Sequence, residues 1–305
     1  MSAPAEAMAE GITVRLVGGL GNQLFQYAAG RAVSERLRCP LFLDRAPLAN
    51  VGAQDTPCEF ALGWLVGPEQ AVESVAAPGG RLVSAVRRRL PALARGRVFQ
   101  QQGFAYDPRI TEVGKGTILS GYFQSWRYFS NIEDTLRAEL HARAPRSRWH
   151  EATAEQLDSL GSWIAVHVRR GDYLQARNTA YHGLLGRGYY ERAVAALRAQ
   201  GSTGRLVLFS DDPQSARDML GELASDALVI EPSADAHAME SIELISRAPA
   251  IVTANSSFSW WGGWLADPGR SVVVCPSPWL HGAGLDEHDL RPPQWLMADA
   301  GFGAA

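Results

Sequence analysis

The sequence predicts an α/β fold built from two Rossmann-like parallel-sheet domains that face a central cleft. Short apolar, β-branched runs alternate with stretches of helical periodicity, which is the order that produces parallel sheets. This pattern occurs in two blocks, with the linker-like segment 144–148 between them. A length of 305 residues suits two domains of ordinary size, and 46% hydrophobic residues can form a core in each. We place the domains at 11–150 and 151–298.

The first domain opens as a β-α-β unit. Residues 11–17 predict a strand that ends at the glycine-rich turn 18–22. Residues 41–43 predict the second strand, with Asp44 at its end. A helix should lie between them, because four apolar residues are spaced at i, i+4, i+7 and i+8. These residues are Phe25, Ala29, Ala32 and Val33.

The glycine-rich turn has two interpretations. A dinucleotide fingerprint requires G-x-G-x-x-G, but Leu24 stands where the third glycine belongs. Asp44 lies about where a ribose-binding acid would be, so a nicotinamide oxidoreductase built on Gly19 and Gly21 stays open as a minor alternative. We favour a turn whose backbone N–H groups and Asn22 face a cleft at the helix start.

The rest of the first domain is less regular. Residues 50–102 lack a clear period, and we expect irregular helix and loop there. Residues 117–119 predict another short strand. The segment 121–129 then concentrates aromatic rings beside Gln124 and Arg127, as a sugar-binding site would, although a packed core explains such rings at least as well.

The second domain continues the alternation. Strands are predicted at 163–168, 206–209, 228–230, 251–253 and 271–274, of which the last should be the final strand of the chain. Helices are predicted over 152–160, along Tyr190, Ala193, Val194 and Leu197, and along Ala238, Ile242 and Ile245. We expect Trp260, Trp261 and Trp264 to pack a further helix against the core.

Polar groups follow three of these strands, at the edge of the sheet where ligands bind. They are Arg169, Arg170 and Asp172 after the first strand, Asp211 and Asp212 after the second, and Asn255, Ser256 and Ser257 after the fourth. The planar Arg fork suits phosphate oxygens, and hydroxyl and N–H groups at a helix start bind anions. The combination is typical of a nucleotide-diphosphate site.

Each group also has a structural explanation. The arginines and Asp172 could form a surface salt bridge, and Ser256 or Ser257 could simply cap a helix. Asp212 suits the N-cap position before Pro213, which leaves Asp211 as the freer group for a ligand.

Several cofactor classes are disfavoured. The chain has no G-x-x-x-x-G-K-[ST] loop, no D-x-D pair and no zinc-ligand spacing. If a diphosphate leaves, arginine and a helix terminus must stabilise its charge, so we expect no cofactor and no essential metal.

Composition limits the partners and the compartment. A net charge of −3 argues against nucleic-acid binding. Three scattered cysteines predict reduced thiols, and without an apolar run of membrane length we expect a cytoplasmic protein. Peripheral docking on the cytoplasmic membrane face stays open, through Arg81, Arg87, Arg88 and Arg89.

Four segments, in order, resemble the motif set of the bacterial α-1,2-fucosyltransferases, glycosyltransferase family 11. They are Gly18–Ala28, His167–Tyr173, Phe209–Asp212 and Asn255–Gly262. The resemblance implies a GT-B fold. It also implies metal-independent transfer, with inversion, of L-fucose from GDP-β-L-fucose to the 2-hydroxyl of a terminal galactose in an oligosaccharide. Another GDP-sugar or linkage on the same fold is the nearest rival.

The resemblance also assigns roles. Domain 11–150 would be the acceptor side and 151–298 the GDP-sugar-binding domain. Arg169 would hold the β-phosphate, His167 and Asp211 or Asp212 would lie at the guanosine, and Ser256 and Ser257 would flank the diphosphate. Asn22 would face the fucose, while Arg170 and Asp172 would mainly brace their loop.

The general base is the open question. Related fucosyltransferases often carry an acid beyond the Arg-Arg motif, but residues 174–182 contain no carboxylate. Asp172 and His182 are the candidates, although His182 could equally be a hydrogen-bonded loop histidine. The missing acid also leaves open a non-catalytic sugar- or nucleotide-binding protein. The sequence does not identify the acceptor glycan.

Overall fold

The computed structural model describes residues 5–49, 58–72, 98–170, 183–281 and 286–302. The chain is α/β, as predicted, and divides into two compact units, Met1–Arg143 and Ala144–Ala305, each with its own parallel sheet. The division falls a few residues before the predicted boundary at 150/151. Residues 144–150 belong to the second unit because the helix that begins at Arg148 packs there, with His150 in contact with Glu243.

The first unit holds a five-stranded sheet in the order β3-β2-β1-β5-β4, with every pairing parallel. The strands are β1 (Ile12–Arg15), β2 (Leu41–Asp44), β3 (Ala71–Val72), β4 (Val98–Gln100) and β5 (Ile118–Ser120). The expectation of irregular structure across 50–102 was wrong for β3 and β4. Both are edge strands of two or three residues, too short for a readable period, and pairing with β2 and β5 forms them.

Among its described residues, the first unit has the helices α1 (Ala5–Glu10), α2 (Leu20–Leu37), α3 (Ala46–Ala49) and α4 (Glu133–Arg143). Helix α2 is the one predicted after the glycine turn, and its four marker residues Phe25, Ala29, Ala32 and Val33 are buried. It lies so close to the sheet that a Cβ on Gly30 would come within 2.3 Å of Val14 Cγ2. Only glycine permits that approach.

The aromatic segment 121–129 belongs mostly to the core of this unit. Phe123, Tyr128 and Phe129 are buried, and the Phe123 and Tyr128 rings meet edge to face at 5.2 Å. Tyr122 is half exposed. Core packing, the second of the two interpretations, therefore explains these three rings.

The second unit holds a six-stranded sheet in the order β11-β10-β9-β6-β7-β8, again parallel throughout. Its strands are β6 (Trp163–Val168), β7 (Arg205–Ser210), β8 (Leu228–Ile230), β9 (Ala250–Val252), β10 (Val272–Ser277) and β11 (Leu296–Asp299). The strand expected to be the last of the chain is followed by β11. This edge strand has only one buried residue and escapes periodicity.

In the part of the second unit that the structure describes, the helices are α5 (Arg148–Ser159), α6 (Arg187–Ala199), α7 (Pro213–Leu220), α8 (Ala238–Ser246) and α9 (Ser257–Leu265). Trp260, Trp261 and Trp264 are buried in the core, as predicted, and Trp260 Nε1–H donates to the Leu290 carbonyl over 2.8 Å. Within the described ranges, no helix is long and apolar enough to cross a bilayer.

Candidate active site

A cavity of about 250 Å³ opens at the carboxyl ends of β6, β7 and β8. It is lined by His167, Arg169, Phe209, Ser210, Asp211, Ile230, Pro232, Ala236, His237, Ala238, Ser241 and Phe258. The parallel registers explain the convergence, because Val168 pairs with Ser210 and Phe209 pairs with Ile230, so the three strands end together. The amino-terminal turns of α8 and α9 complete the wall. This is the edge of an open α/β sheet at which ligands bind.

Arg169 and Asp211 meet at this cavity. Arg169 Nε lies 3.2 Å from Asp211 Oδ2, and the two side chains are 27% and 25% exposed. Asp211 Oδ1 accepts the backbone N–H of Arg170 over 2.8 Å. Asp211 therefore orients the guanidinium and the loop, and it also lines the cavity.

Asp212 is used for structure, as predicted. Its Oδ1 accepts the N–H of Ser215 over 3.1 Å and its Oδ2 accepts the Ser215 hydroxyl over 2.6 Å. Helix α7 begins at the next residue, Pro213, so Asp212 is its N-cap. Asp212 is not among the residues that line the cavity.

His167 points from β6 into the cavity. Its side chain is 4% exposed and its ring stacks on Phe258 with centroids 5.4 Å apart. Burial, helped by the nearby Arg169 charge, lowers the pKa of His167 to about 3, so the imidazole is neutral at physiological pH. Its Nδ1 has no hydrogen-bond partner among the described residues. A buried ring nitrogen left in this state is suited to a ligand.

Arg170 turns into the protein rather than towards the cavity. It is 6% exposed, and its Nη2 donates to the Leu185 carbonyl over 3.3 Å. Its Nε has no partner among the described residues. We call residues 167–170, which join β6 to its loop, the arginine corner.

Asn255, Ser256 and Ser257 follow β9, the neighbour of β6, and so lie at the same edge of the sheet. Asn255 Nδ2 donates to the Gly183 carbonyl over 3.2 Å. Ser256 is the N-cap of α9, with its hydroxyl accepting the N–H of Phe258 over 3.3 Å. The capping interpretation is confirmed for Ser256. None of the three lines the cavity, whereas Phe258 does.

In the first unit, residues 18–26 form what we call the glycine corner. Gly18 has φ +76°, and a Cβ there would come within 2.4 Å of Asn22 Nδ2. Asn22 Oδ1 accepts from Gln124 Nε2 over 2.7 Å. Asp44 is buried and accepts the N–H of Ala46 over 3.1 Å, at the start of α3.

Two glutamines that sequence reasoning did not single out hold the glycine corner together. Gln23 is fully buried; its Nε2 donates to the carbonyls of Gly18 and Glu59, each over 2.8 Å, and its Oε1 accepts the N–H of Ala61 over 2.9 Å. Gln26, also fully buried, accepts the N–H of Val17 and donates to Gly121. Apolar periodicity could not have found Gln23, because it stands on the opposite side of the helix from the four marker residues, where α2 is also buried.

Asp172 and His182, the candidates for the general base, lie outside the described residues, as do Arg81, Arg87, Arg88 and Arg89. His237, Ala238 and Ser241, which line the cavity, were not singled out by any motif. Among the described residues, no group of three or more His, Cys, Asp or Glu side chains could hold a metal ion.

Residues 107–298 match the sequence model of the family described as Glycosyl transferase family 11. The chain belongs to this family. Family 11 membership confirms the resemblance drawn from the four motifs and makes the chain a glycosyltransferase. The nicotinamide oxidoreductase alternative is thereby overturned.

Relatives of this family 11 glycosyltransferase cover most of its length. The α-1,2-colitosyltransferase of Escherichia coli is 29% identical over 94% of this chain and 99% of the relative. A galactoside 2-α-L-fucosyltransferase of Bos taurus is 24% identical over 63% of this chain and 54% of the relative. A crystal structure of NodZ α-1,6-fucosyltransferase soaked with GDP-fucose matches at 16% identity and a TM-score of 0.48, over 84% of this chain and 93% of that chain.

Proposed function

We propose that this glycosyltransferase moves L-fucose from GDP-β-L-fucose to the 2-hydroxyl of a terminal galactose in an oligosaccharide, with inversion and without a metal. The observation that supports this most is the cavity beside Arg169 at the ends of β6, β7 and β8. Its shape and chemistry suit a nucleoside diphosphate.

The cavity suits a purine nucleoside. Phe209, Ile230 and Pro232 give it apolar walls, as a flat base requires. The unpartnered Nδ1 of neutral His167 offers one polar contact, and the hydroxyl of Ser241 offers another. We assign the guanosine to this cavity.

Arg169 suits the diphosphate. It stands at the cavity with a quarter of its side chain exposed, and Asp211 fixes the direction of its fork. A guanidinium held in this way contacts two phosphate oxygens at once. Its interaction with the leaving group becomes stronger as negative charge develops on the phosphate. The amino terminus of α9, capped by Ser256, lies at the same edge and adds N–H groups of favourable polarity.

The transfer is a single displacement. The galactose 2-oxygen attacks C1 of the fucose, the bond from C1 to the phosphate oxygen breaks, and its electrons go to the departing GDP. The hydroxyl proton goes to a base, for which Asp172 and His182 are our candidates, or to the departing phosphate. Because arginine and a helix terminus supply the positive charge, the scheme requires no metal.

Both relatives are named for transfers of the 1,2 type, one of colitose and one of fucose to a galactoside. The direct test is incubation with GDP-fucose and a terminal galactoside, with and without EDTA, followed by GDP quantification and linkage analysis of the product. We expect an α-1,2-linked fucoside in equal amounts under both conditions. Absence of GDP release, or loss of activity in EDTA, contradicts the proposal.

A second candidate is the same linkage with colitose as the transferred sugar. It is favoured by the colitosyltransferase that aligns with nearly the whole chain. Competition between GDP-fucose and GDP-colitose for one acceptor separates the two, because the physiological donor should have the higher kcat/KM.

A further inference from the structure

Helix α8, whose first turn forms part of the cavity wall, is anchored by residues 147–150 near the start of the second unit. The Ser147 hydroxyl donates to Glu240 Oε2 over 2.5 Å, and one turn further His150 Nε2 lies 2.5 Å from Glu243 Oε2. Ser147 is the N-cap of α5, so these two contacts join the first turn of α5 to α8. One contact lies at the cavity end of α8 and the other beyond it.

Glu240 connects the contact with Ser147 to His237, a residue that lines the cavity. Its side chain is buried, and its Oε1 accepts the N–H of His237 over 3.1 Å. His237 Nδ1 in turn accepts the N–H of Met239 over 3.0 Å, which completes a capping box at the start of α8. His237 lines the cavity, but Glu240 does not.

The capping bond also fixes which ring nitrogen of His237 carries the proton. A backbone N–H can only donate, so Nδ1 is the acceptor and the neutral ring must be protonated at Nε2. Burial lowers the pKa of His237, which keeps the ring neutral at physiological pH. The ring therefore contributes one N–H donor and no charge to the cavity wall.

We propose that Glu240, anchored by Ser147, is a positioning residue that sets His237 so that its Nε2–H donates to an acceptor on the purine edge of the donor nucleotide. This inference rests on the proposed function, because it requires the nucleotide in this cavity. Hydrogen bonds weaken steeply with misalignment, so a loosened first turn of α8 costs affinity although Glu240 itself touches no ligand.

A double-mutant cycle on GDP affinity tests the proposal, with Kd measured by calorimetry on the full chain. We expect Glu240→Ala to weaken GDP binding about tenfold, because two hydrogen bonds that hold the first turn of α8 are lost. Glu240→Gln should stay within about twofold, since its amide oxygen still accepts from His237 and its nitrogen can donate to Ser147. In a His237→Ser background, where an N-cap oxygen is kept, Glu240→Ala should add less than about twofold.

The matched control is Glu243→Ala. This carboxylate is equally buried on the same helix and contacts His150, but it lies away from the cavity. Its loss should lower the thermal midpoint about as much as Glu240→Ala while leaving the GDP Kd within about twofold. Should Glu240→Ala fail to fold, Ser147→Ala takes its place in the cycle, with the same dependence on His237.

Equal weakening by Glu240→Ala and Glu243→Ala would show that Glu240 only stabilises the fold. Full additivity of the Glu240 and His237 substitutions would show that it does not act through His237. Either result overturns the positioning role and leaves the proposed function standing. A parent protein that does not bind GDP overturns the proposed function itself.

Discussion

The glycine corner of the first unit and the arginine corner of the second are both strand ends that carry family motifs, yet they differ in how their buried polar atoms are satisfied. In the glycine corner, Gln23 makes three hydrogen bonds and Gln26 makes two. In the arginine corner, His167 Nδ1 and Arg170 Nε have no partner among the described residues. The buried glutamines of the glycine corner are thus fully hydrogen-bonded within the protein, whereas the arginine corner leaves one buried ring nitrogen, His167 Nδ1, unpartnered at the cavity.

This difference distinguishes motif residues that stabilise the fold from motif residues that bind a ligand. Buried polar groups are almost always hydrogen-bonded. The hydrogen bonds that the Gln23 amide makes to neighbouring loops are therefore a sufficient reason for its presence. An unpaired ring nitrogen at a cavity, as in His167, calls for a ligand. Substitutions of His167 and Arg169 should therefore reduce turnover, while substitutions of Gln23 and Gln26 should reduce stability.

The largest effect is expected from Arg169→Ala. Loss of the guanidinium should lower kcat/KM about a thousandfold, because an oriented charge at the leaving group is removed. Arg169→Lys should recover only part, since an ammonium cannot reproduce the two-pronged contact. Steady-state kinetics with GDP-fucose measure both. Arg198→Ala, an exposed arginine on α6, is the control, and an Arg169→Ala variant within threefold of the parent would show that the diphosphate is misplaced.

The pH dependence of His167 gives the next effect. Its pKa in the folded protein, about 3, lies below the ordinary value of 6.5, so the unfolded chain binds the proton first as pH falls. The parent should therefore lose stability from about pH 6.5 downwards, by about 3 kcal/mol relative to His167→Asn between pH 7 and pH 4. Urea unfolding at several pH values measures this. Parallel curves for parent and variant would mean that the ring takes up its proton as readily in the folded protein as in the unfolded chain.

In the glycine corner, Gln23→Ala should lower the free energy of unfolding by about 2 to 3 kcal/mol, because it leaves buried backbone groups of Gly18, Glu59 and Ala61 unpaired. Activity per folded molecule should change far less than in Arg169→Ala. Urea unfolding followed by circular dichroism measures the loss, with the exposed Gln200→Ala as control. A variant of parental stability and poor turnover would place the glycine corner among the ligand-binding elements.

The smallest effect is expected at the start of α9. Ser256→Ala should cost about 1 kcal/mol of unfolding free energy, because the N-cap of the helix is lost. Ser257→Ala should cost less than half as much, since Ser257 is the first helical residue and caps nothing. Comparison of their urea midpoints checks this. Equal midpoints would indicate that the Ser256 hydroxyl bond to Phe258 contributes little.

The fold was predictable wherever apolar periodicity is strong. Strand β6 and the marker residues of α2 stand where they were expected, because continuous burial requires continuous apolar sequence. Strands β3, β4 and β11 were missed, since short edge strands are formed by their neighbours rather than by their own residues.

The site was predictable only in part, for a similar reason. Arg169 and His167 follow a recognisable strand, so their place at its carboxyl end could be read from the sequence. The engagement of Asp211 by Arg170 could not, because it depends on the register between β6 and β7. Nor could the contact between Ser147 and Glu240, residues 93 positions apart, because no local pattern specifies a distant partner.

The tryptophans of the second unit have an optical consequence. Four tryptophans form a cluster in which neighbouring ring centroids lie 5.1 to 6.3 Å apart: Trp260, Trp261, Trp264 and Trp295. At these distances the rings transfer excitation energy to one another, so the fluorescence of the cluster should change as a unit. In the first unit, the described indoles are Trp64 and Trp126. Intrinsic fluorescence should therefore report chiefly on the half of the chain that holds the cavity, so unfolding of that half can be followed by tryptophan emission.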